Sequence, residues 1–222
     1  MTLAFTFPIK DAWVIVADKK AVSKFKAESQ SDISVFSDSI EKIKGINHNL
    51  FFVGSGDEKI LSDIIDDAKQ YLNFEDFKKY LEIKLKNIFL TITDEQFLVI
   101  DKSSQKGFQI RKDKNNKFET KEIKNSVNCK NFIGTFNENT RLGEIKEELT
   151  NINNLKFSDM GERFYDFCNR CLGNIAVDNL YCVGHPLVHG SDIWIISKEK
   201  IKKISAKPER KYSYTEEVKE DD

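Results

Sequence analysis

In the first third of the chain, apolar residues come in short continuous runs separated by polar segments. The runs at 3–7 and 13–17 have the length of strands and flank a polar turn, which predicts a buried β-hairpin. The runs at 43–46 and 50–53 predict a second hairpin around a turn-prone Asn-His-Asn triplet. Between the two hairpins, a serine-rich and charged segment predicts a loop with one short strand at 33–36.

The spacing of apolar residues then changes to a helical period. Apolar positions from 60 to 72 recur every three or four residues and predict one helix, and those from 74 to 89 predict a second. Strand patterns return in five short segments, at 89–93, 96–100, 107–111, 118–123 and 132–134. Two further helices and a last pair of strands complete the pattern, at 140–152, 159–175, 192–197 and 200–204.

Strands and helices therefore come in separate blocks along the chain. Such segregation predicts an α+β fold, with helices on the outer sides of two stacked antiparallel sheets. No internal repeat and no clear boundary divides residues 1–205, so we predict that they form one domain. Residues 206–222 are polar, basic first and acidic last, and they predict a disordered tail.

Composition narrows the class of protein. The chain has 222 residues, of which 40% are hydrophobic, and this is enough for one well-formed core. Lysine and arginine (35) balance aspartate and glutamate (36), so charge does not favour nucleic acid or an anionic membrane as a partner. The sequence shows neither an apolar run of about 18 residues nor the basic and apolar regions of a signal peptide. A cytoplasmic location is the expectation.

Cysteine and histidine give no sign of a metal site. Cys168 and Cys171 have a spacing that metal sites use, but they fall in an apolar helical pattern, which favours packing in the core. His48, His185 and His189 lie in predicted turns and loops without the spacing of helical metal ligands. We predict neither a metal nor a cofactor.

The clearest candidate for chemistry is Thr2, directly after the start methionine. A methionine before a small side chain is usually removed, and removal would leave a hydroxyl nucleophile and an amine base on one residue. The ordinary pKa of an α-amine is about 8, so this amine could accept a proton near neutral pH. The alternative is that Thr2 is an ordinary β-branched residue of the first strand.

Three downstream residues could support such a nucleophile. Asp18 ends an apolar strand, where a carboxylate needs a partner, although it could also be a simple turn residue. The charge of Lys42 would favour a deprotonated hydroxyl. Lys44 is the rival lysine, and its opposite strand parity would point it the other way. Gly56, at the start of a predicted helix, could offer its N–H to an oxyanion or serve only a tight turn.

Together these positions resemble the proteasome family, the N-terminal-nucleophile hydrolases that include proteasome β subunits and the bacterial HslV peptidase. Thr2 stands where the family has its nucleophile. Asp18 follows at the family's spacing, inside the strand-end motif Ala17-Asp18-Lys19-Lys20. Counting back without gaps from Gly54-Ser55-Gly56-Asp57, which is similar to the family's turn into a helix pair, places Lys42 on its active-site lysine.

The resemblance extends more weakly beyond about the first 90 residues, as far as residue 205. Ile133-Gly134-Thr135 is similar to the family's later Ile-Gly-Ser segment, and this implies that Thr135 lies near the terminal amine. The implied catalytic set is therefore Thr2, Asp18, Lys42, Gly56 and Thr135. The implied fold is a four-layer α-β-β-α sandwich, and the implied activity is a threonine peptidase that cleaves peptides or unfolded proteins. Homo-oligomeric rings and an ATPase partner are implied as well.

Two departures from the family leave other functions open. The loop between Asp18 and Lys42 is longer than usual, and the family's late Asp-Ser-x-Ser group is not evident, with Gly190-Ser191-Asp192 as a partial substitute. The same nucleophile could therefore serve a connectase-like peptide ligase, which passes the acyl group to another peptide's amine. Alternatively, the fold persists as an inactive proteasome-like subunit or binding module.

Overall fold

The computed structural model of this chain describes residues 3–19, 21–25, 33–37, 41–55, 58–87, 96–112, 118–123, 132–134, 152, 154–175, 190–207 and 212–220. The strands in these ranges are β1 (Leu3–Pro8), β2 (Ala12–Asp18), β3 (Ala21–Phe25), β4 (Ile33–Ser37), β5 (Ile43–Gly45), β6 (Leu50–Ser55), β7 (Gln96–Asp101), β8 (Lys106–Lys112), β9 (Phe118–Glu122), β10 (Phe132–Gly134), β11 (Ser191–Ser197), β12 (Lys200–Lys207) and β13 (Ser213–Glu220). The α-helices whose bounds lie within these ranges are α1 (Glu58–Ala68), α2 (Phe74–Asn87) and α3 (Glu162–Ile175).

The strands form two large antiparallel sheets and one separate hairpin. The first sheet has six strands in the order β10-β1-β2-β11-β12-β13, and the second has five in the order β5-β6-β7-β8-β9. Strands β3 and β4 pair only with each other among the described strands. The protein therefore has a mixed α+β architecture built on antiparallel sheets, as the block pattern of the sequence predicts.

Three apolar clusters hold the elements together. One lies between the two sheets and contains Trp13, Ile15 and Ala17 of β2. The other two cover the outer faces: α3 packs on the six-stranded sheet, and α1 with α2 packs on the five-stranded sheet. Strand β2 is buried on both faces because its alternate side chains, such as Val14 and Val16, point to α3. This explains why its sequence is a continuous apolar run rather than an alternating one.

Both predicted hairpins are present. β1 pairs with β2, with Ala4 opposite Ala17, and β5 pairs with β6 around the Asn-His-Asn turn. In that turn the Asn47 side-chain oxygen accepts hydrogen bonds from the backbone N–H groups of Asn49 and Leu50, at 2.8 and 2.9 Å. The triplet is turn-prone because an asparagine side chain can replace a backbone acceptor in this way.

The prediction of a disordered tail is wrong for residues 213–220. Ser213–Glu220 forms β13, which pairs in full with β12 at the edge of the six-stranded sheet. Backbone hydrogen bonds need no apolar pattern, so a polar strand can add to an edge without a signal in its sequence. In β13, the ring of Tyr214 also packs on the ring of Tyr165 in α3, with the ring centroids 5.3 Å apart. The predicted strand at 89–93 and most of the predicted helix at 140–152 lie outside the described residues.

The described part of the chain contains no helix that is both long and apolar enough to cross a membrane. Its longest helices, α2 and α3, have 14 residues each. A span of the hydrocarbon core needs roughly 20 predominantly apolar residues.

Cys168 and Cys171 are buried free thiols in the cluster between α3 and the six-stranded sheet. Burial raises the pKa of the Cys168 thiol well above its ordinary value. We expect iodoacetamide at about pH 8 to leave Cys168 unmodified in the native protein and to alkylate it in guanidinium chloride. Peptide mapping by mass spectrometry measures both states, and equal alkylation in the two would contradict the packing.

Candidate active site

Asp18 and Lys42 form a buried ion pair. Asp18 is the last residue of β2, and Lys42 directly precedes β5 in the other large sheet. The Lys42 ammonium lies 2.7 Å from the Asp18 Oδ2, and the two side chains are only 7% and 1% exposed. The structure thus brings two of the predicted site residues into contact, and this contact joins the two sheets at one end. Its catalytic role stays a prediction.

The same carboxylate also binds the start of β1. The backbone N–H of Leu3 donates to Asp18 Oδ1 at 2.6 Å. That nitrogen is covalently bonded to the carbonyl carbon of Thr2, so the Asp18–Lys42 pair lies within one peptide unit of the residue predicted to be the nucleophile. Asp18 can do this because Leu3 and Asp18 sit at the open end of the β1–β2 ladder.

The rest of the predicted catalytic set is not in the described part of the chain. Thr2, Gly56 and Thr135 all lie outside the described residues. Strand β10 ends at Gly134, one residue before Thr135, and its partner is β1, where Gly134 is opposite Leu3. The rival lysine, Lys44, lies at the surface 3.6 Å from Glu41.

A second ion pair, partly buried, lies next to the first. Lys19 follows Asp18 in the chain, and its ammonium is 3.0 Å from Asp192 Oδ1 of β11. It also donates a hydrogen bond to the hydroxyl of Ser205 on β12. Burial raises the pKa of the Asp192 carboxyl, and the positive charge of Lys19 opposes that shift. The charges at this end of the sheet therefore come in close, opposite pairs.

A third lysine closes the space between the sheets on the side of β12. The Lys203 ammonium lies 3.7 Å from the ring centroid of Trp194 and 3.9 Å from Glu41 Oε1. Burial lowers the pKa of Lys203, while the carboxylate of Glu41 acts in the opposite direction. Glu41 and Lys42, which are neighbours in the chain, thus contact two different strands of the six-stranded sheet: Glu41 contacts β12 and Lys42 contacts β2.

A polar network connects this region to α3. The Ser191 hydroxyl, at the start of β11, donates to the side-chain oxygen of Asn169. The Asn169 amide in turn donates to the carbonyl of Tyr165 at 3.2 Å and to the hydroxyl of Tyr214 at 3.3 Å. Ser191 and Asn169 are both buried. Sequence reasoning missed Asn169 and Tyr214 because a helix and a strand far apart in the chain supply them.

Within the described ranges no cluster of three or more histidine, cysteine, aspartate and glutamate side chains could hold a metal ion. His48 lies in the turn before β6, as predicted, while His185 and His189 are outside those ranges. The sequence matches no family model, and no curated protein is significantly similar to it.

The chemistry that this arrangement allows follows from its charges. A buried ammonium stabilises a developing negative charge nearby, because few water dipoles are present to screen it. A carboxylate beside it fixes its position and keeps it charged. The Asp18–Lys42 pair is suited to activating a hydroxyl within a few ångströms of the Leu3 nitrogen.

Proposed function

We propose that this protein is an N-terminal threonine peptidase with Thr2 as its nucleophile. The observation that supports the proposal most is the pair of contacts made by Asp18, which accepts the Leu3 N–H at 2.6 Å and the Lys42 ammonium at 2.7 Å. A lysine and an aspartate would thus flank the first residue of β1, in the places that the resemblance to the proteasome family gives them.

In the proposed reaction, the Thr2 hydroxyl oxygen attacks the carbonyl carbon of a peptide bond, and its proton passes to the α-amine of Thr2. Lys42 stabilises the charge on the attacking oxygen, and Asp18 holds Lys42 in position. The amine then gives the proton to the leaving nitrogen, which breaks the peptide bond and leaves an ester on Thr2. Water, deprotonated by the same amine, hydrolyses the ester and frees Thr2.

Two further parts of the proposal rest on the family resemblance alone. The N–H of Gly56 would stabilise the oxyanion, and Thr135 would hydrogen-bond near the terminal amine. We also propose that the two sheets and their helices form the four-layer α-β-β-α sandwich of this hydrolase class. The stacking of α3, the two sheets and the α1–α2 pair is the arrangement that such a fold requires.

Intact mass before and after treatment with a peptide epoxyketone tests the proposal. This reagent needs both the hydroxyl and the free amine of a terminal threonine. We expect loss of Met1 and a single adduct, which is absent in Thr2→Ala. We expect Lys42→Met to slow adduct formation by roughly a hundredfold or more, while Lys69→Met, which removes a surface lysine, leaves the rate unchanged. Retained Met1 with no adduct would overturn the peptidase and favour an inactive subunit.

The fate of the acyl group separates a peptidase from a connectase-like ligase. A substrate peptide is incubated with the protein, with and without a second peptide that carries a free N-terminal amine. A peptidase yields the free acid in both cases, because water is the acceptor. A ligase yields the joined peptide in the second case and holds the acyl-enzyme in the first, which a mass increase on Thr2 reveals.

A further inference from the structure

Ser191 and Asp18 face each other across the last rung of the β2–β11 ladder. Their register is direct, so their side chains lie on the same face of the sheet and within contact range. The chain enters β11 through Gly190, whose φ of 75° is one that side-chain-bearing residues rarely adopt. The ladder therefore ends abruptly at the rung that carries Asp18.

The end of a ladder frays unless something outside the ladder holds it. On the β11 side of this rung, one such contact is the hydrogen bond from the Ser191 hydroxyl to Asn169 on α3. The side-chain oxygen of Asn169 accepts a hydrogen bond from Ser191, and its nitrogen donates to the Tyr165 carbonyl and the Tyr214 hydroxyl. A buried amide that is bonded at both ends is costly to disturb, so its orientation is fixed.

The outer end of this chain of hydrogen bonds is β13. The Tyr214 hydroxyl accepts from Asn169 and donates to Asp166 of α3, while the Tyr214 ring packs on that of Tyr165. Strand β13 is mostly exposed and lies at the edge of the sheet, where β11 and β12 separate it from β2. The Tyr214 hydroxyl is therefore where an edge strand meets the buried network.

We propose that Ser191 and Asn169 are positioning residues for Asp18, and that docking of β13 through Tyr214 sets how firmly they hold it. Breaking the network loosens the last rung at Asp18 and weakens the hydrogen bond from Leu3 N–H to its carboxylate. The effect on catalysis rests on the proposed function, whereas the effect on the Leu3 hydrogen bond does not.

Amide hydrogen exchange, followed by NMR on protein labelled with ¹⁵N-leucine and ¹⁵N-isoleucine, tests the proposal on the full chain. We expect Ser191→Ala to speed exchange at Leu3 about tenfold and Tyr214→Phe to speed it about threefold. The internal reference is Ile9, whose N–H donates to the Ala12 carbonyl at 2.8 Å at the other end of the same hairpin. A general loss of stability would speed exchange at both amides.

Ser197→Ala is the matched control, because Ser197 ends the same strand, opposite Ala12, and its hydroxyl forms hydrogen bonds with the backbone of nearby Lys200. We expect it to leave Leu3 exchange unchanged. Equal exchange at Leu3 in Ser191→Ala and Ser197→Ala, or a parallel change at Ile9, would overturn the proposal.

Where the native protein reacts with the epoxyketone, Ser191→Ala is also expected to slow adduct formation several-fold. If the native protein does not react with the epoxyketone but Ser191→Ala speeds exchange at Leu3, the positioning network is supported and the peptidase activity is contradicted.

Discussion

Replacing Asp18 with alanine is expected to lower the free energy of unfolding by about 3–5 kcal/mol. The substitution removes a carboxylate that is 1% exposed from a lysine that is 7% exposed, and it also removes the acceptor of the Leu3 N–H. A buried ammonium without that carboxylate keeps the cost of leaving water and loses most of the compensating attraction. Urea unfolding, monitored by tryptophan fluorescence, measures the change.

The surface pair of Asp66 and Lys69 is a matched control for this substitution. Its charged atoms are 2.8 Å apart, close to the 2.7 Å of the buried pair, but the side chains of Asp66 and Lys69 are 66% and 63% exposed. Asp66→Ala is therefore expected to change stability little, since water already solvates and screens both charges. If Asp18→Ala costs no more than Asp66→Ala, the buried pair does not exist in solution. Combining Asp18→Ala with Lys42→Ala should restore part of the loss, because the buried ammonium is then removed together with the carboxylate that balanced it.

Gly107→Ala is expected to destabilise the protein by about 1–3 kcal/mol. A Cβ at this position in β8 would stand 2.6 and 2.7 Å from two ring carbons of Trp13 and 3.1 Å from Ile100. Trp13 cannot move away easily, because its ring is buried between the sheets and its N–H donates to the Gln105 carbonyl at 3.1 Å. Thermal unfolding measures the loss as a lower midpoint temperature.

Gly161→Ala is the comparison for the Gly107 variant, since a Cβ there would meet no atom within 4 Å. Only a small change in the unfolding midpoint is expected from it. A smaller ring should also relieve the overlap, so Trp13→Phe together with Gly107→Ala should cost less than the sum of the two single changes. Additive losses would show that the overlap is not the cause.

Several parts of the candidate site could be predicted from sequence, and their limits have identifiable causes. Asp18 stood out because a carboxylate at the end of a continuous apolar strand needs a buried partner. Lys42 was preferred to Lys44 on strand parity and on the resemblance, and the structure pairs Lys42 with Asp18 and Lys44 with Glu41. The chain contains many lysines, however, so neither the burial of Lys42 nor its distance from Asp18 could be known from the sequence.

The local elements, the two hairpins and the block order that favours stacked antiparallel sheets can be read from the amino-acid sequence. These follow from periodicity and turn chemistry, which act between near neighbours in the chain. Three features became visible only in the folded protein: Ser191 faces Asp18, Asn169 and Tyr214 bond to each other, and residues 213–220 form an edge strand. The first two contacts join residues 173 and 45 positions apart in the chain. Strand register and backbone pairing at a sheet edge also leave little trace in composition or period.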